Sequence, residues 1–235
     1  IPHAIIDDGM IIKLFDAAFH HPKEVSHDSG LVNLQNYDRR WVRIERPTVV
    51  VGGELTLDNL EIRHDPRSNT CEAPIQLKSN CGSLLIDDFG RQRVAPGELL
   101  NRWIVPLENT MDFLTLPTGK KISVPFEQIV LFSTNLQPHD LVDEAFLRRV
   151  PFKIEIRDPG MEEFTYLFER ACPSMGFPWR PEVIKQLIEI VFRSGKRPFR
   201  RCYPRDLLKQ VKAYCTYRGE PLDLRLDYLQ PACRN

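Results

Sequence analysis

The sequence has no uninterrupted apolar run approaching the roughly 20 residues that a bilayer-spanning helix needs, so insertion in a membrane is not expected. It also lacks any C-x-x-C pair. The six cysteines (Cys71, Cys81, Cys172, Cys202, Cys215 and Cys233) show neither zinc-ligand spacing nor a disulfide framework. Reduced thiols in a cytoplasmic protein are therefore the expectation. Charge of one sign is not in excess: Lys+Arg and Asp+Glu both number 32, which argues against a globally basic nucleic-acid binder while leaving a local patch open. Ile1-Pro2-His3-Ala4-Ile5-Ile6 has no basic stretch and no cleavage pattern, so it does not read as a signal peptide. Repeats and low-complexity tracts are absent. So is any G-x-x-x-x-G-K-[ST]: Gly119-Lys120-Lys121 and Gly195-Lys196-Arg197 both lack the leading glycine and the hydroxyl.

What is present suits one core with a small satellite: 235 residues, 42% of them hydrophobic. The 19 prolines stand mostly where helices should start or strands should turn. Residues 1–80 read as polar and strand-poor, apart from an apolar run at Pro47-Thr48-Val49-Val50-Val51 followed by Gly52-Gly53. Residues 81–158 alternate buried-type strands with helices, and 159–219 are helical.

Ser83-Leu84-Leu85-Ile86 is a short apolar run ending in Asp87-Asp88, as in a strand buried on both faces. Pro96 suits a first helical position, and Leu99, Leu100, Trp103, Ile104 and Leu107 follow at helical spacing. Phe113-Leu114-Thr115-Leu116 and Ile122-Ser123-Val124 flank Pro117-Thr118-Gly119-Lys120, a hairpin signal. Ile129-Val130-Leu131-Phe132 predicts a second buried strand ending at Ser133-Thr134-Asn135, and Phe152-Lys153-Ile154-Glu155-Ile156 a third. Helical stripes follow at Met161/Phe164/Leu167/Phe168, Val183/Ile184/Leu187/Ile188/Val191 and Leu207/Leu208/Val211/Tyr214, with Gly195 and Gly219 as stop signals.

Taken singly, these motifs have plain structural readings. Asp87-Asp88 could be a solvated turn, Asn135 ordinary loop chemistry, Arg148-Arg149 a helix end and Arg205 an exposed first-turn residue. In order, however, they resemble the AAA+ ATPases over residues 81–219. Leu84–Asp88 resembles a Walker B motif. The resemblance implies that Asp87 holds Mg2+ and that Asp88, where the family usually has Glu, orients the attacking water. Ile129–Asn135 resembles sensor 1, with Asn135 as the polar residue and Thr134 as a stand-in. Asp143–Val150 resembles the segment carrying the arginine finger, Arg149 aligning best and Arg148 in reserve. Tyr203–Leu208 resembles sensor 2, with Arg205 reaching the nucleotide. The hairpin at Phe113–Val124 resembles that of the presensor-1 clade, MoxR-like members included.

The resemblance implies an α/β fold: a P-loop NTPase-type parallel sheet with flanking helices over 1–158, then a small all-helical lid over 159–235. The family's strand order is 5-1-4-3-2, with the phosphate loop after strand 1. Ile1–Ile6 is then expected to be strand 2, and strand 1 and the loop to lie upstream in a longer protein. The implied function is ATP hydrolysis coupled to remodelling of a protein client by a homo-oligomeric ring, with ATP and Mg2+ as cofactors and the 235-residue chain inactive by itself. A DNA-directed motor or initiator and a non-hydrolysing scaffold are the alternatives; nucleic acid as a partner is possible but not favoured. Arg193, Lys196, Arg197, Arg200 and Arg201 are a candidate nucleic-acid patch or a solvated loop. Trp41 with Arg39, Arg40 and Arg43 reads as an amphipathic strand before a stacking patch. His20, His21 and His27 have no carboxylate spacing that supports a metal.

Overall fold

The computed structural model describes residues 1–23, 38–137 and 144–233. His27 and Asp143, named above, lie outside the described residues. The chain divides into two compact units, Ile1–Lys153 and Ile154–Asn235.

In chain order the first unit runs β1 (Ala4–Asp7), β2 (Met10–Lys13), β3 (Thr48–Val51), a 3-10 turn (Leu57–Leu60), β4 (Arg63–Asp65) and β5 (Thr70–Glu72). Next come α1 (Ile75–Lys78), β6 (Ser83–Ile86), α2 (Pro96–Asn109), β7 (Met111–Thr115), β8 (Lys121–Pro125), β9 (Ile129–Phe132) and α3 (Glu144–Leu147). Three of the strands, β3, β6 and β9, form a parallel sheet in that order, with Val51, Ile86 and Phe132 in register. Because side chains alternate across a strand, Val49, Val51, Leu84, Ile86, Val130 and Phe132 share one face. That face packs against Leu99, Leu100 and Trp103 of α2, as the helical spacing predicts. Gly82 lets β6 start close to its neighbour: a Cβ there would lie 2.0 Å from the Pro47 carbonyl oxygen.

The opposite face is a departure from the doubly covered strand pattern. Val50 is 51% exposed, Leu131 46% and Ile129 68%. Among the described residues β9 pairs only with β6, so its outer edge is open.

Residues 1–80 are not strand-poor. Four strands from this region form a separate sheet in the order β1-β2-β5-β4, with only β2 and β5 parallel. Ile1–Ile6 is accordingly not strand 2 of the core. Asp8 (φ 49°) and Gly9 (φ 74°) turn the chain back tightly, making β1 and β2 a hairpin, and Thr48–Val51 takes the place beside β6. The predicted hairpin is present as β7–β8, in register from Met111↔Pro125 to Thr115↔Lys121. Its Leu114 and Leu116 share a core with Ile12, Leu14, Cys71 and Leu77, so hairpin and small sheet pack together.

A polar network ties this packed pair to α2. Arg102 donates to both oxygens of buried Asp112 (2.7 and 3.2 Å) and to Glu61 (2.7 Å). Gln76 Nε2 donates to Asp112 (3.0 Å) and to the Leu60 carbonyl (2.7 Å). Phe152, Ile154 and Ile156 are not in a strand: they lie 83, 85 and 78% exposed in a segment without regular secondary structure. A strand needs a neighbour to donate to and accept from, and among the described residues none stands beside this one.

The second unit holds α4 (Met161–Ser174), α5 (Pro181–Leu187) continuing as a π-helix (Ile188–Arg193), α6 (Tyr203–Arg218) and α7 (Leu226–Ala232). Phe164, Phe168, Ile184, Leu187, Phe192, Leu208, Val211 and Cys215 make its core. Met161 and Tyr214, expected inside, are 41% and 40% exposed; Cys215 takes the inward place on α6. Gly219 ends α6 in the left-handed region (φ 68°), as its position suggests. Among the described residues no helix is long and apolar enough to cross a membrane.

Candidate functional site

The carboxyl ends of the three parallel strands form one rim. Central β6 runs into Asp87, whose N–H donates to the Val51 carbonyl on one side (2.8 Å). On the other side Ser133 N–H donates to the Ile86 carbonyl (2.9 Å) and Phe89 N–H to the Ser133 carbonyl (2.7 Å). Asp87 and Ser133 thus emerge from adjacent strands, about 4.8 Å apart in the hydrogen-bonding direction, with Asn135 two residues on. Sequence reading expected Asp87, Asp88 and Asn135 to leave neighbouring strands at one edge, and they do.

Asp88 holds a left-handed backbone (φ 50°), which Asp tolerates better than most residues, and its N–H donates to Asp87 Oδ1 (3.0 Å). The turn is braced from below. Gln92 Nε2 donates to the Asp87 carbonyl (2.8 Å) while its Oε1 accepts from Gly90 N–H (2.8 Å). Thr134 Oγ1 donates to the Phe89 carbonyl (2.8 Å) and accepts from Leu136 N–H (3.1 Å). The Thr134 hydroxyl is therefore engaged in loop structure, whereas Asn135 is exposed. Both aspartates are exposed as well.

A third carboxylate on this rim escaped the sequence reading. Glu54 follows β3 and accepts from Gly52 N–H (3.0 Å), a contact that holds its carboxyl below the ordinary 4.5. The signal was the valine run before Gly52-Gly53-Glu54; assigning Ile1–Ile6 to the core sheet hid it.

Hard oxygen donors suit Mg2+, which commonly takes one or two carboxylates and fills its shell with water and phosphate oxygens. Asp87 and Asp88 fit that partial role. Among the described residues no group of three or more His, Cys, Asp or Glu stands ready to hold a metal. His20 is buried and structural, its Nδ1 accepting from Asp16 N–H (2.9 Å) and its Nε2 meeting the Lys78 carbonyl (2.8 Å).

The remaining candidates sit elsewhere. Arg149 is bound to Glu108 near the end of α2 (Nε 2.7 Å, NH2 2.6 Å), while Arg148 is exposed. Arg205 is exposed in the first turn of α6, in the second unit. The basic cluster of that unit is largely neutralised within it: Arg193 pairs with Glu189, Arg200 with Asp158 and Arg201 with Glu163, and Arg197 donates to the Cys233 carbonyl. Trp41 is 55% exposed in an isolated bridge to Pro2, and Arg40 is held by Asp38.

No curated protein sequence matches the chain. Residues 160–235 match a family model described as "Domain of unknown function (DUF8689)". Two crystal structures of NtrX from Brucella abortus are similar to the chain. One has a TM-score of 0.55 at 15% identity; the other, in complex with ADP, has 0.53 at 13%. Each alignment covers 77% of this chain and 42% of NtrX, so the chain spans about two fifths of the length of these two NtrX structures. Parallel sheet, flanking helix and small all-helical second unit give this chain an α/β fold similar to that of these NtrX structures.

Proposed function

We propose that these residues belong to an AAA+ ATPase that couples ATP hydrolysis to remodelling of a protein client, working as a homo-oligomeric ring. One observation carries the reading: Asp87-Asp88 and Asn135 leave adjacent, in-register parallel strands at the same edge. In open α/β sheets that edge is where ligands bind. Asp87 would hold Mg2+, which neutralises phosphate charge when bound. Asp88 would orient the attacking water, one methylene shorter in reach than Glu, and Asn135 would position that water from the next strand. Arg205 would contact the nucleotide from the helical unit.

The phosphate cradle has no counterpart within residues 1–235. In this reading it comes from a strand and helix outside these residues. Two features support that: the open β9 edge, where such a strand would pair, and the exposed Val50/Leu131/Ile129 face, which such a helix would cover. The unpaired Phe152–Ile156 segment has the alternation of a further strand. The pairing of the lid arginines with local acids favours a protein client over a DNA-directed motor.

The test is ATP turnover by the full-length protein that contains this chain. Hydrolysis is expected, with D87A and D88N each lowering kcat at least 100-fold, whereas residues 1–235 alone are expected to be inactive. A full-length protein that hydrolyses no ATP, or a D88N variant at the wild-type rate, would refute the assignment.

A further inference from the structure

The cations of the second unit divide into two groups. Arg193, Arg200 and Arg201 are paired with acids, as described above, and so are Arg180 with Asp223 and Arg225 with Asp227. Along α6, by contrast, Lys209, Lys212 and Arg218 are exposed and make no ion pair among the described residues. The nearby acids do not neutralise them. Asp206, one turn before Lys209, forms no ion pair, and Glu220, just past the helix, accepts from the Tyr228 hydroxyl.

Helix geometry puts these cations in one footprint with two tyrosines. Residues three and four apart are neighbours on a helix surface. Lys209, Ala213 and Tyr217 therefore form one row, with Lys212 beside its first end and Tyr214 and Arg218 beside its last. Lys209 and Tyr217 are about 12 Å apart along the axis at 1.5 Å per residue. Ala213, between them, is exposed and short, which leaves a low point in the row. The other side of α6 (Leu207, Leu208, Val211 and Cys215) is buried in the core and holds the footprint toward solvent.

Tyr217 is the anomaly: it is 88% exposed, and no hydrogen bond or ring contact engages its side chain among the described residues. Tyr214 is already engaged. Arg218 lies over its ring (5.5 Å) and donates to its hydroxyl (3.2 Å), and the Tyr228 ring stands 5.2 Å away. A single-stranded nucleic acid needs a basic groove and several open rings for successive bases. α6 offers a convex face with one open ring. A short polypeptide segment with carboxylates next to an aromatic side chain fits it better, the acids meeting Lys209 and Lys212 and the ring meeting Tyr217 across Ala213.

We propose that this face of α6 is a docking surface for an acidic, aromatic-bearing segment of a partner protein. It rests on the protein-client reading in giving that client a chemistry, but docking is measured without nucleotide, so the two can fail separately. Four residues of extended chain span about 13 Å at roughly 3.3 Å each, enough to reach from the lysines to Tyr217.

The experiment titrates the full-length protein into three fluorescein-labelled probes and reads anisotropy: a random copolymer of Glu and Tyr, poly-Glu of the same length, and oligo-dT. Wild type is compared with K209A/K212A, Y217A, Y217F and, as a control on α5, K185A. The copolymer is expected to bind more tightly than poly-Glu, and oligo-dT no more tightly than poly-Glu. Y217A should weaken copolymer binding about 3- to 10-fold, the range of an aromatic pair, and leave poly-Glu unchanged; Y217F, which keeps the ring, should match wild type. K209A/K212A should weaken both acidic polymers about tenfold, two exposed charge pairs at the upper end of their usual range. K185A should change neither, and thermal midpoints should stay the same throughout. No binding, copolymer binding that the α6 variants do not alter, or tighter binding of oligo-dT than of the copolymer overturns the proposal. ATP turnover then remains a separate test of the ATPase reading.

Discussion

Replacing Asp112 by alanine is expected to loosen the hairpin from the rest of its unit. The carboxylate is 1% exposed and accepts from Arg102 twice, from Gln76 and from Phe113 N–H (2.8 Å). Removing one partner of a buried ion pair strands the other, at about 3–5 kcal/mol. Arg102 keeps Glu61, which is 43% exposed and can share part of the charge, so the lower end of that range applies. A loss of about 3 kcal/mol corresponds to roughly 6–12 °C for a domain of this size. The assay is chemical denaturation of the full-length protein, read alongside hydrogen exchange at β7–β8. R102A is expected to have a similar effect and D112A/R102A to be little worse than either, with a coupling of about 2 kcal/mol. A D112A loss below about 1 kcal/mol, or additive single and double variants, would show that the network does not hold the hairpin.

Three further outcomes are expected. G82A should destabilise strongly, because its Cβ would meet the Pro47 carbonyl, whereas G97A, in the first turn of α2 with open space around it, should be neutral or slightly stabilising; equal effects would contradict this. Hydrogen bonding from Arg180 holds the Asp223 carboxyl below its ordinary 3.8. Its stabilising contribution is therefore full above that value and lost as pH falls through the lower folded-state value, so R180Q should flatten the acid limb of the helical unit's stability curve. At pH 8, alkylation followed by peptide mass mapping should find Cys81 and Cys202 modified first. Cys172, buried and with its thiol pushed up to about 11, should stay unmodified until unfolding.

Much of the parallel-sheet half could be read from local pattern. The strand before Asp87, the helix beginning at Pro96 and the hairpin around Gly119 each follow from apolar spacing and turn chemistry, and each forms where expected. The first 80 residues were harder because their strands are three or four residues long, too short for alternation to register. One clue was available: Asp8-Gly9 is a hairpin dipeptide, and reading it would have kept Ile1–Ile6 out of the core. Phe152–Ile156 shows the reverse limit. Its alternation is correct for a strand, but strand formation is a property of two segments. Which of two adjacent arginines faces outward likewise depends on Glu108, some 40 positions earlier, a contact that helix periodicity does not encode.

The uncovered sheet face has a practical side. Among the described residues the β9 edge is unpaired and lies beside exposed Val50, Ile129 and Leu131, an adhesive surface for any chain in solution. Produced by themselves, these 235 residues should clump as concentration rises, and a buffer screen would treat only the symptom.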